Sequence, residues 1–159
     1  MFADYSEHGR FYSDDLPLPM HRLAVKPSLI EGAGNGLFSE AAVQKGEWLC
    51  VYFGQQISLL DKLNASRSDK EASVSNLDYA LGGFKGMSSI DPGSTCCIAK
   101  YVNDSILDDS YDDRSGVNVE FVRSLQLGVA VIVATRDIEC GEELYVSYGK
   151  GYWKARGRI

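Results

Sequence analysis

The sequence predicts a mainly β fold of many short strands with one or two small helices, and three observations point that way. Sixteen glycines and four prolines break the chain into brief apolar segments bounded by turn residues. The longest stretch without a polar side chain, Leu127 to Ala134, is half β-branched. Only Leu59 to Ser66 carries a helix signature, with Ser58 as a candidate N-cap and Asp61 in the first turn.

The elements follow in chain order. The first twenty residues mix aromatics, acids and a Pro-Leu-Pro step and read as an irregular arm. Leu23 to Val25 is a candidate strand, followed by the glycine-rich turn Glu31 to Gly36. Trp48 to Phe53 is a strong strand run, entered from Lys45-Gly46 and left at Gly54, and Gln55 to Ser58 continues it beyond a bend. Asp78 to Leu81 and Ser88 to Asp91 read as short strands bracketing Gly82-Gly83. Thr95 to Val102 has room for one or two helical turns. Asp104 to Arg114 holds five aspartates without apolar period and reads as a solvated loop. Val117 to Arg123 alternates, Leu127 to Ala134 belongs at the centre of a sheet, and Leu144 to Tyr148 closes the system after the turn at Gly141.

Composition narrows the function. A chain of 159 residues that is 45% hydrophobic can build a core without metals or crosslinks. No apolar run approaches the ~20 residues of a membrane helix. The start, MFADYSEHGR, lacks the basic and apolar regions of a signal peptide, so an intracellular protein is expected. Sixteen basic against twenty-two acidic residues give a net charge of −6, which disfavours direct nucleic-acid binding and suits a basic peptide. Cys50, Cys96, Cys97 and Cys140 show no zinc-site spacing and read as reduced thiols; no metal is expected.

Two distant segments are unusual for a structural β protein. In Ala33-Gly34-Asn35-Gly36-Leu37-Phe38 a glycine-rich turn runs straight into a strand, a way to expose consecutive backbone N–H groups to an anion. In Gly141-Glu142-Glu143-Leu144-Tyr145-Val146-Ser147-Tyr148-Gly149 a closing strand ends with a tyrosine against a glycine. With these segments the chain resembles the SET-domain family of protein lysine methyltransferases from Leu23 to Trp153. GAGNGLF looks like the opening GxG motif, and Cys50 to Gly54 like the Tyr-x-Gly strand. Ile90-Asp91 resembles the Ile-Asp pair, Lys100 to Ser105 the Arg-Phe-x-Asn-His-Ser segment, and Asn118 to Phe121 the strand after it. Ala134 to Gly149 resembles the closing block A-x-R-D-I-x-x-G-E-E-L-x-x-x-Y-G.

The resemblance implies small curved sheets and a knot-like C-terminal threading that brings the Asn103 and Tyr148 segments together. It implies S-adenosylmethionine on one face and a lysine-bearing peptide, such as a histone tail, on the other, joined by a narrow channel. Tyr148 then orients the amine, with Tyr52 lining the channel. Ala33, Gly34, Asn35 and Gly36 present backbone to the cofactor, and Asn103 bonds its amino end. Tyr101, Asp104 and Ser105 complete the cofactor site, the last two through backbone near the adenine. Phe121 and Val146 set the channel width, and neither has a hydroxyl to hold a water, so more than one methyl is expected. Domain limits follow: an arm over 1–20, a catalytic domain over 21–149, and a basic, aromatic tail over 150–159. The implied location is the nucleus rather than the cytoplasm.

Four departures stand out. Asp104 replaces the family's histidine and Lys100 its arginine, which raises the alternative of an inactive SET-like module that binds a basic peptide. The acidic stretch Asp108 to Asp113 interrupts the motif that follows. No cysteine-rich module closes the channel, so Tyr152 and Trp153 are expected to fold back as its missing wall.

Overall fold

The computed structural model describes residues 22–58, 60–61, 79–93, 95–105, 116–155 and 157. The arm over 1–20, most of the Leu59–Ser66 helix and the acidic stretch Asp108 to Asp113 lie outside them. Among the described residues there are ten strands: β1 (Leu23–Pro27), β2 (Asn35–Ser39), β3 (Trp48–Tyr52), β4 (Gln55–Ile57), β5 (Leu81–Gly82), β6 (Ser89–Asp91), β7 (Asn103–Asp104), β8 (Val119–Ser124), β9 (Val129–Ala134) and β10 (Tyr145–Val146). One helix, α1 (Lys150–Ala155), and 3-10 turns at Lys85–Met87 and Ile98–Tyr101 complete the described elements. The strands form four small sheets, ordered β1-β2, β10-β7, β3-β9-β8 and β4-β6-β5.

The chain divides into two interleaved compact units. Of the described residues, one holds those within 51–100 and 122–131, and the other those within 22–50, 101–121 and 132–157. The division falls within β3, β8 and β9, so the units are not successive domains.

The apolar pattern accounts for the strand order. Every residue of β9 is buried, and β9 is the middle strand of its sheet, as expected for an unbroken apolar run rich in β-branched residues. It begins at Val129 rather than Leu127 because Ser124 to Gly128 forms the hairpin turn. Gly128 N–H donates to Ser124 O at 2.9 Å, Gly128 has φ +63°, and Leu127 is exposed. In the β4-β6-β5 sheet, β6 pairs antiparallel with both neighbours. A Cβ at Gly54 would stand 2.2 Å from Asp91 O, so only glycine fits that approach.

At the candidate helix, Ser58 Oγ donates to Asp61 Oδ2 at 2.6 Å and accepts from Asp61 N at 3.2 Å, a reciprocal cap. One expectation needs correction: Asp104 does not sit in a solvated loop, because it ends β7 and is 5% exposed. The tail includes the helix α1, whose glycine and two aromatics do not signal it by propensity. The four cysteines form no disulfide; Cys50 and Cys97 are buried, Cys96 and Cys140 exposed. Among the described residues no helix is long and apolar enough to cross a membrane, and no three potential metal-ligating side chains cluster.

Candidate active site

Within the second unit, β10 runs parallel to β7 with Tyr145 opposite Asn103 and Val146 opposite Asp104. The segment before it is hydrogen-bonded to β2: Ser39 N–H donates to Glu142 O at 2.9 Å, and Leu144 N–H donates to Leu37 O at 2.7 Å. Asn118 joins from a third direction. Its side-chain oxygen accepts from Tyr145 N at 2.7 Å and its amide donates to Glu143 O at 2.8 Å. The closing block is thus stitched to three segments remote in sequence, and the Asn103 and Tyr148 segments meet across 45 positions.

Tyr148 is held at both ends. Its N–H donates to Asp104 Oδ2 at 2.8 Å, and its phenol donates to Val102 O at 2.7 Å. A carbonyl can only accept, so the phenol spends its proton there and offers lone pairs elsewhere. The α1 aromatics pack on this ring. Tyr152 meets it edge-on at 4.6 Å between centroids, and Trp153 stacks at 6.0 Å with planes 24° apart. Trp153 Nε1 donates to the same Asp104 Oδ2 at 2.9 Å. Gly149, at φ +83°, makes the reversal into α1 in a backbone region that disfavours other residues.

A second cluster lies beneath the glycine turn. Glu143 is 1% exposed, and its carboxylate accepts from four donors. Ser28 Oγ (2.7 Å) and Asn103 Nδ2 (3.1 Å) reach one oxygen; Leu29 N (2.7 Å) and Tyr145 OH (2.7 Å) reach the other. Burial, then the bond to this carboxylate and its charge, push the Tyr145 phenol well above its ordinary pKa. Asn103 Nδ2 also reaches Asn35 O at 3.1 Å and Ser28 Oγ at 3.2 Å. The turn glycines divide the work. Gly34 has φ +76° and open space where a Cβ would be, whereas a Cβ at Gly36 would collide with Glu143 Oε1 at 2.1 Å. Ala33, Gly34 and Asn35 are exposed; Gly36 is buried.

The other predicted residues are placed as follows. Tyr101 ends a 3-10 turn, half-buried. Phe121 is half-buried in β8, and Val146 is buried in β10. Tyr52 belongs to the first unit, where it is 4% exposed and its phenol donates to Tyr79 O. Lys100 donates to Gly93 O (2.9 Å) and Thr95 O (3.0 Å), a job for a flexible ammonium rather than a planar fork.

Residues 34–149 match the SET domain family. The chain belongs to the SET-domain family. No curated protein matches it. Among solved structures it is similar to one of ctPRC2 in an autoinhibited conformation bound to S-adenosylmethionine. The TM-score is 0.60 and the identity 23%, over 85% of this chain and 16% of that one. The likeness is one of fold, and the chain spans a small part of that protein.

S-adenosylmethionine is the methyl donor of SET-domain methyltransferases, and residues of this SET domain suit such a group. Ser105 Oγ is buried with no hydrogen-bond partner among the described residues, an orphaned polar atom next to Asp104. The exposed backbone at Gly34 has space above it. With its amide nitrogen committed to Glu143 and Asn35, Asn103 has its side-chain oxygen to offer an ammonium.

Glu143, Ser28 and Asn118 carry this arrangement; Glu143 and Asn118 lie inside the quoted motifs, but the sequence assigns a role to none of the three. A second acid directly before an apolar strand was a signal for Glu143, since a buried carboxylate requires donors. Ser28 gave no signal.

Proposed function

We propose that this SET domain is an S-adenosylmethionine-dependent protein-lysine N-methyltransferase acting on a basic, lysine-bearing segment such as a histone tail. The observation that carries the reading is Tyr148: its phenol is tied to Val102 O and packed among aromatic rings, two residues beyond the strand β10 that pairs with the Asn103 segment. The cofactor supplies a methyl group on a cationic sulfur, open to in-line attack by a neutral amine.

The chain's own residues supply the rest. Backbone at Ala33, Gly34 and Asn35 faces the methionine portion, with Gly36 holding the turn against Glu143. Asn103 accepts from the amino end through its side-chain oxygen, and Tyr101, the Asp104 backbone and Ser105 flank the adenine. Tyr148, its proton already given to Val102 O, accepts an N–H from the lysine and aims the nitrogen lone pair. A lysine amine has a reference pKa of ~10.4, and an aromatic, water-poor surround favours its neutral form. Holding the reacting atoms ~3–3.5 Å apart supplies a further ~7–11 kcal/mol over free reactants. Tyr52 is assigned to the channel lining. Tyr152 and Trp153 supply a wall, and Phe121 and Val146 set a width that admits more than one methyl. Action on a histone places the protein in the nucleus.

The test is incubation with methyl-labelled S-adenosylmethionine and a panel of histones and cell extract, with mapping of the labelled residue. Tyr148→Phe should lower turnover by ~10²–10⁴-fold while costing about 1 kcal/mol of stability from the lost bond to Val102 O. A mutant as fast as the parent refutes the role of Tyr148. The competing reading is a module that binds basic peptides without transferring methyl groups, motivated by Asp104 and Lys100. Calorimetry separates the two, because such a module need not bind S-adenosylmethionine.

A further inference from the structure

We infer that the side chain of Asp104 is a positioning group that joins the reactive tyrosine to the C-terminal helix. The inference rests on the proposed methyl transfer for its kinetic consequence only. The parallel ladder between β7 and β10 ends at the Val146–Asp104 pair. Two residues later the Tyr148 N–H bonds to the Asp104 carboxylate, which extends the ladder through a side chain. Two residues before Asp104, on the same segment, Val102 O takes the Tyr148 phenol. The 102–104 segment therefore grips Tyr148 at its backbone and at its tip.

The same carboxylate oxygen that takes the Tyr148 amide also takes the Trp153 indole, at 2.8 and 2.9 Å. Trp153 stacks on the Tyr148 ring, so one buried acid fixes both the ring and the wall laid against it. The chemistry suits an acid: a carboxylate is acceptor-only, whereas a neutral imidazole has a single acceptor nitrogen and an N–H that would oppose a donor. Charge-assisted bonds to N–H groups are also roughly twice as strong as neutral ones. Where the sequence departs from its relatives' histidine, it gains a clasp for a helix that stands in for a closing module. Asp104 acts through Tyr148 and Trp153, and its part in the reaction is positioning.

The experiment combines indole NMR with kinetics on the full chain. The chain has two tryptophans, Trp48 and Trp153, and Trp153→Phe assigns their Nε1–H signals. In Asp104→Ala the Trp153 signal should move upfield and exchange faster with water, while the Trp48 signal stays. Methyl transfer should fall about 10²-fold, the scale of a 1 Å misplacement, with the dissociation constant of S-adenosylmethionine changed less than about twofold. Asp104→Asn, which keeps an oxygen acceptor, should recover part of both effects. Asp104→Ala should cost less in the Trp153→Phe background than in the parent, because the two residues are coupled. An unmoved Trp153 signal overturns the inference, and so does a parental rate in Asp104→Ala. If Asp104→Ala does not fold, Asp104→Asn carries both readouts and Trp153→Phe carries the kinetic one. A parent that transfers no methyl group refutes the proposed function and the kinetic half of this inference; the indole signal then decides the clasp by itself.

Discussion

Glu143→Gln changes one oxygen to an NH2 group and almost nothing in volume, which isolates the hydrogen-bonding role of the buried acid. The carboxylate accepts from Ser28 Oγ and Asn103 Nδ2 on one oxygen, and from Leu29 N and Tyr145 OH on the other. A glutamine keeps one acceptor oxygen and turns two N–H atoms toward the remaining pair. Its cheaper orientation sets the nitrogen toward Ser28 and Asn103. There Asn103 has Asn35 O as another acceptor, and by giving up its own contact with Ser28 Oγ, which also accepts from Ile30 N, it leaves that oxygen a lone pair for the glutamine N–H. The opposite orientation would oppose the Leu29 N–H, which cannot reverse. Even the cheaper form loses one bond worth about 1 kcal/mol and weakens two charge-assisted bonds by about 0.5 kcal/mol each, for a total of about 2 kcal/mol. With a urea slope of about 2 kcal/mol/M, the unfolding midpoint should fall by about 1 M at unchanged slope. Equilibrium urea unfolding followed by circular dichroism measures it. A midpoint equal to the parent's would mean that Glu143 does not hold the glycine turn, Asn103 and β10 together.

Three further predictions use neighbouring geometry. Gly36→Ala puts a Cβ 2.1 Å from Glu143 Oε1 and should cost about 1–3 kcal/mol in the same assay; adding Glu143→Ala should make the glycine change nearly silent, and simple additivity would count against the contact. The Tyr145 phenol has its pKa raised in the folded chain, so the unfolded chain ionises first as pH rises. The stability it contributes is fully present below its unfolded pKa of about 10 and is lost as pH climbs above that; Tyr145→Phe should flatten the alkaline fall in unfolding midpoint, and parallel profiles would refute the shift. Burial pushes the Cys97 thiol up and Cys50 is also buried, so a maleimide at neutral pH should label Cys96 and Cys140 in the native chain and all four cysteines only after denaturation, as read by mass spectrometry.

Local pattern fixed much of this protein in advance. The apolar run at β9 had to be a strand, the glycine turns had to punctuate short strands, and Ser58 with Asp61 had to bond to each other as a local cap, because each depends on neighbours within a few positions. The motif order likewise announced a SET domain and, through it, the meeting of Asn103 with Tyr148. Side-chain partners across 40 or more positions were a different matter. Asp104 reads as the first residue of a solvated acidic loop, whereas in the fold its buried carboxylate takes the Tyr148 N–H and the Trp153 indole of α1, donors 44 and 49 positions away. Gly36 reads from the sequence as a cofactor-facing glycine, and only the tertiary structure shows that its missing Cβ also makes room for Glu143, 107 positions away. The physical reason is reach: propensity and periodicity act along the chain, whereas a buried charge is tolerated only where remote segments bring donors to it, and that is decided when the chain closes on itself.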